Sequence, residues 1–197
     1  MGKAHDEGER VQFDTPDEWG AWLEREHARP QGVWLVTWKK HTGRQTIPYD
    51  DSVTEALRFG WVDSLGRRLD EDRTMLWFAP RRKGSAWARP NKQRIARLES
   101  AGRMAPAGRA VIEAAKADGS WVLLDDVENL IVPDDLAVAF DNHPGARAEW
   151  DTFPRSVRRG ILEWIAQAKR PDTRSRRLEE TARLAGRGER ANQRRSS

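Results

Sequence analysis

The sequence contains no cysteine. That excludes disulfide bridges and thiolate zinc sites, and it suits a reducing compartment. Histidine is sparse as well: His5, His27, His41 and His143 lie far apart, without the one-turn helical spacing that zinc peptidases use. No metal site and no cofactor is expected. There is no run of about 18 apolar residues, so no membrane span is expected. The first ten residues are polar and charged and lack the apolar core of a secretion signal, and the chain reads as cytoplasmic. Tyrosine occurs once, as Tyr49, against ten tryptophans. A tryptophan buries a large area and wants a partner for its indole N–H, so most of the ten belong to the core, leaving one or two for a ligand.

Charge is abundant, with 35 Lys and Arg against 31 Asp and Glu. Its position decides what it means. Residues 169–197 hold ten cations and four carboxylates, a net of +6. The preceding 168 residues, at 25 against 27, carry −2. The basicity therefore sits in the tail, with one internal exception: residues 81–97 hold seven cations and no carboxylate. At 197 residues the chain is long enough to bury a core without staples.

The order of elements points to an α+β fold: a small, mostly antiparallel sheet with packed helices, followed by an all-helical C-terminal region. Residues 1–12 read as a frayed arm. Thr15, Pro16 and Glu18 form a helix start, with Thr15 and Glu18 as a capping box. Trp19, Trp22 and Leu23 form the apolar stripe of that helix, which must end before Pro30 and Gly32. The run from Val33 to Trp38 is a central strand covered on two sides. A second helix starts near Asp50 to Ser52, with Glu55 completing a capping box to Ser52 and Gly60 as its left-handed stop. Residues 61–69 and 74–78 form a hairpin around the turn from Asp70 to Arg73. Helices follow from Pro90 to Gly102 and from Pro106 to Asp118, and residues 121–124 suit an edge strand or an extended segment.

From Pro133 onward the pattern is helical only. Val157, Ile161, Trp164, Ile165 and Ala168 share one helical face. Pro171 interrupts, Asp172 or Thr173 caps again, and a last helix runs to about Gly186. The expected division is 10–125 as the α+β core with the candidate pocket and 130–187 as the helical region, with 1–9 and 188–197 disordered.

The densest chemistry lies between Glu55 and Asn91. Arg81, Arg82, Lys83, Gly84 and Ser85 combine cations, a flexible backbone and a hydroxyl before a helix start, the ingredients of phosphate and carboxylate sites. The spacing is not that of a nucleotide-hydrolase phosphate loop. Asp63 stands between Trp61 and Leu65 in an apolar strand, where a carboxylate is either ion-paired or shifted in pKa. Trp87 and Asn91 offer stacking and hydrogen bonding, or else a core plug and a helix-start bond. The candidate ligand-binding set is thus Asp63, Arg81, Arg82, Ser85, Trp87 and Asn91. Ser64 and Ser85 lack a nucleophile elbow or an adjacent histidine. A second, weaker set for nucleic acid is Lys169, Arg170, Arg174 and Arg177, which compete with pairing to helix carboxylates such as Glu179 and Glu180.

Several of these motifs together resemble the YdeI/OmpD-associated, or bacteriocin-protection, family. The resemblance rests on Gly32 to Leu35 with Lys39 and Lys40; on Tyr49 and Glu55 to Ser64; and on Pro80, Arg81, Ser85, Trp87 and Asn91. It continues through Gly102, Met104 and Gly108 to Trp164, Ile165, Ala168, Lys169, Arg170, Pro171, Thr173, Arg174 and Arg177, and so spans about residues 13–187. Where that family commonly has serine after the tryptophan of the basic turn, this chain has Ala88. The resemblance implies a bacterial cytoplasmic protein linked to tolerance of bacteriocins, cationic antimicrobial peptides or envelope stress, and the cation-rich turn among its motifs adds the reading of a non-enzymatic stress or resistance protein that binds a small anionic ligand or a protein partner. Two alternatives stand beside it: an enzyme using Asp63 as acid or base in the same pocket, and a nucleic-acid binder using the basic C-terminus.

Overall fold

In the computed structural model, residues 7–192 are described. They divide into two compact units, one of residues 7–85 and 90–119, the other of residues 86–89 and 120–192.

The first unit holds a four-stranded mixed sheet. Its strands are β1 (Arg10–Gln12), β2 (Val33–Trp38), β3 (Trp61–Arg68) and β4 (Arg73–Pro80), in the order β1-β2-β4-β3. The β2–β4 and β3–β4 pairs are antiparallel and β1–β2 is parallel. β2 is interior, as its apolar, β-branched composition requires, and Val33, Trp34, Leu35 and Val36 are all buried. Residues 10–12, expected within a frayed arm, instead pair with Trp34 to Val36. Three residues are too few for an alternation to stand out, and main-chain bonds to a strand already in place stabilise them, beginning with Trp34 N–H to the Glu9 carbonyl at 2.8 Å.

Helix α1 (Pro16–Glu26) starts as expected, with the Thr15 hydroxyl accepting from Glu18 N–H and the Glu18 carboxylate accepting from Thr15 N–H. Its buried stripe, Trp19 and Leu23, faces Phe78, and the Trp19 and Phe78 rings lie 5.4 Å apart. The Trp19 indole donates to the Ser52 carbonyl and the Trp61 indole to the His27 carbonyl, so neither buried N–H is left unmet.

Helix α2 (Tyr49–Arg58) begins one to three residues earlier than expected, after Pro48, and no side chain caps it. Ser52 is therefore inside the helix, its hydroxyl donating to the Tyr49 carbonyl. Glu55 is buried and ion-paired to Arg58 and Arg103 in place of a capping box. Gly60 ends the segment at φ +81°. Two more helices, α3 (Arg89–Ser100) and α4 (Pro106–Ala117), follow the hairpin. On α4, Gly108 is required: a Cβ there would stand 2.2 Å from the Arg58 carbonyl oxygen.

The second unit is helical. It contains α5 (Asp125–Glu128), α6 (Asp134–Asp141), α7 (Ala146–Thr152), α8 (Arg155–Ala166) and α9 (Pro171–Ala185). Residues 121–124, expected as an edge strand or extended segment, are turns leading into α5, with the Val122 and Leu124 carbonyls accepting from Asp125 and Glu128 N–H. The core of this unit is built from Leu136, Phe140, Ala146, Trp150, Ile161, Ile165, Ala182 and Ala185. α8 buries Ile161, Leu162 and Ile165; Ala168 lies beyond its end. α9 starts with Arg170 preceding Pro171, without the Asp172 or Thr173 cap. Ala191, in the stretch expected to be disordered, is buried in the same core. Residues 1–6 and 193–197, covered by the same expectation, lie outside the described residues.

Candidate functional site

Register assigns the sheet two faces. Residues paired across strands share a face, so Val33, Leu35, Leu76, Phe78 and Asp63 lie on one and Trp34, Val36, Met75 and Trp77 on the other. The helix-covered face is the first. On the second, Trp34, Val36, Met75 and Trp77 form a buried cluster of their own, with Ala79 packed against it.

At the end of β4 the main chain continues its pairing, with Arg81 N–H donating to the Gly60 carbonyl at 3.0 Å. The turn that follows closes through Ser85 N–H to the Arg82 carbonyl, with Gly84 at φ +72°. The Arg81 guanidinium is half-buried and reaches the Ser85 carbonyl at 3.5 Å. Loss of water around it lowers its pKa to about 10, and the nearby negative charge of Asp63 opposes that shift. Arg81 and Arg82 line an open hollow of about 810 Å³ on the Trp77 face, with Arg29, Gly32, Trp77 and Ala79. Glu7 and Glu9 line it too, and Glu9 pairs with Arg29 at 2.8 Å.

Asp63 does not line this hollow. It lies across from Phe78 and accepts a hydrogen bond from the Tyr49 hydroxyl at 2.9 Å. Burial first, and then this bond to a carboxylate, raise the pKa of Tyr49. A bulge follows directly: β3 places two residues, Ser64 and Leu65, where β4 has only Trp77. Asn91 accepts from Arg94 at 2.9 Å, and Arg94 holds the Asp50 carboxylate through Nε and Nη2 at 2.9 and 2.7 Å. Trp87 belongs to the second unit, is 1 % exposed, and meets Trp121 at 5.0 Å between ring centroids. It is a packed residue there. Ala88 packs against the second unit's core.

Of the expected ligand-binding set, Arg81 and Arg82 thus share one hollow. Ser85 supports Arg81 through its carbonyl, Asp63 acts on Arg81 through charge from the other face, and Asn91 braces Arg94. Arg29, Tyr49, Asp50 and Arg94 were not singled out for chemistry by the sequence. Only their tertiary partners, 14 to 44 positions away for Tyr49 and Arg94, give them a role.

Two of the four C-terminal candidates, Arg174 and Arg177, have internal partners. Arg174 grips Asp135 at 2.6 and 3.0 Å, and this bond, ahead of the opposing effect of burial, holds the Asp135 carboxyl below its usual range. Arg177 donates to the Trp164 carbonyl and lies 4.8 Å from the Trp164 ring centre. Lys169 and Arg170 are exposed. Among the described residues, no group of three His, Asp or Glu is placed to hold a metal, and no helix is long and apolar enough to cross a membrane.

Residues 11–111 match the family model described as Domain of unknown function (DUF8412). Residues 129–188 match the model described as Bacteriocin-protection, YdeI or OmpD-Associated. The family read from the sequence is therefore found over a C-terminal part of the chain, and the motifs from Gly32 to Gly108 fall in the stretch that matches the other model. No curated protein and no solved structure matches the chain.

Proposed function

The chain belongs to the family described as Domain of unknown function (DUF8412), and from that premise, joined to its C-terminal bacteriocin-protection match, we propose a cytoplasmic bacterial stress or resistance protein that binds a small anionic ligand. The ligand occupies the hollow beside Arg81. The tolerance role toward bacteriocins comes from the family description alone, and cationic antimicrobial peptides extend it as a proposal. The anion-binding role rests on one observation: a desolvated guanidinium, Arg81, borders an open hollow that Arg82 and Arg29 also line.

An anion beside Arg81 offsets the loss of hydration, and guanidinium forks match carboxylate and phosphate geometry. Glu9, a carboxylate of the chain itself, pairs with Arg29 within the lining of the hollow. The C-terminal reading as a nucleic-acid surface has less support, since Arg174 and Arg177 have internal partners.

The test is thermal unfolding in low salt with phosphate, sulfate or citrate added. Stabilisation by at least one of these anions is expected, and it should disappear in Arg82→Ala, whose exposed side chain contributes little to the fold, and in Arg81→Gln. Wild-type protein indifferent to all three anions, or stabilisation that survives both substitutions, would overturn the proposal.

A further inference from the structure

The opposite face of the sheet carries a second, smaller cavity that the anion-binding reading does not use. It measures about 210 Å³ and has a mostly apolar wall, with Leu35, Ile47 and Leu76 beside Thr37, Gly66 and Tyr49. Three features make it a site and more than a packing gap. The bulge after Asp63 sets Gly66 in the wall, and a Cβ placed there would meet nothing within 4 Å, so the space in front of it is open. Tyr49, the chain's one tyrosine, stands at the mouth 58 % exposed while its hydroxyl is tied to Asp63. Asp63 itself is not in the lining, but it is joined to the cavity through Tyr49, and among the described residues no other group donates a hydrogen bond to it.

Arg94, a cation of the chain itself beside the ring, does not fill that role. Arg94 lies 5.9 Å from the Tyr49 ring centre, but its guanidinium is committed to Asp50 and Asn91. Arg81 acts on Asp63 through charge and lines the hollow on the other face.

We infer that this cavity binds a small organic cation, with an apolar body in the slot walled by Leu35, Ile47 and Leu76 and an ammonium group that reaches past the Tyr49 ring to Asp63, which lies outside the lining but is bonded to the Tyr49 hydroxyl. A carboxylate supplies the charge-assisted bond, the aromatic ring favours an adjacent cation, and the wall accepts the hydrocarbon. The size fits one aromatic ring or a short alkyl chain and excludes a folded partner.

Calorimetric titration with 2-phenylethylammonium, 2-phenylethanol and 3-phenylpropionate tests this. The ammonium compound should bind about tenfold or more tightly than the other two, the margin of a charge-assisted bond over a neutral one. Asp63→Asn should remove that margin. Gly66→Leu should block all three, because the new side chain fills the slot without strain in the strand. Equal affinity for amine and alcohol, or affinity unchanged in Gly66→Leu, would overturn the inference. Stabilisation by inorganic phosphate should be the same in Gly66→Leu as in wild type, which separates this site from the Arg81 hollow.

Discussion

Glu55 is 4 % exposed and receives the guanidinium groups of Arg58 and Arg103 from one side, while Gly20 leaves it room on the other. A Cβ at Gly20 would stand 2.8 Å from the Glu55 carboxylate. Glu55→Ala removes the negative member of this group and leaves two cations facing each other, so we expect a loss of about 3 kcal/mol in urea denaturation, the lower end for a buried pair because Arg103 is half-exposed. At Asp135 the effect is on pH dependence. Arg174 lowers its folded pKa, and the unfolded value is about 3.9. Between those two values the unfolded chain holds more protons, so acid favours unfolding. The stabilisation is complete above the unfolded pKa and lost as pH falls through the folded one. Melting curves from pH 6 to 2 should therefore show wild type ahead of Asp135→Asn at pH 6 and the two converging in acid. None of these partnerships was legible beforehand. Glu55 read as half of a local capping box because Ser52 stands three residues before it; Arg103, its other partner, lies 48 positions away.

Elements whose signals are local were legible. Thr15, Pro16 and Glu18 define the start of α1 within four residues, and the hairpin turn from Asp70 to Arg73 is fixed by the Asp70 carboxylate accepting from Arg73 N–H at 2.7 Å. Thr15→Ala should cost about 1 kcal/mol for the lost cap, measured by chemical denaturation. β1 was not legible, because what makes it a strand belongs to β2. Glycines inside helices separate the two situations. Gly108 meets the backbone of α2, so Gly108→Ala forces α2 and α4 apart and should destabilise by about 2 kcal/mol. Gly160, within α8, has no neighbour within 4 Å of an added Cβ. Gly160→Ala should raise stability by about 0.5–1 kcal/mol in the same assay.

At the scale of the molecule, the chain leaves the first unit at residue 86, returns at 90, and leaves again at 120. The family matches, 11–111 and 129–188, place residues 86–89 inside the first stretch, whereas packing places them with the second unit. Sequence similarity follows the order of residues, and Trp87 is defined by what covers it. A fragment of residues 1–119 lacks Trp121 and should expose Trp87, seen as binding of a hydrophobic dye that falls in Trp87→Ser. A dye-silent fragment with cooperative melting would contradict this. During synthesis the same detour imposes a wait. The ribosome delivers Trp87 more than thirty residues before its partner ring, so at about 5–20 residues per second a bulky indole stays uncovered for seconds while the earlier strands are already paired. Translation speed and chaperone supply over that interval, more than the final stability, should then govern the yield of correctly folded protein.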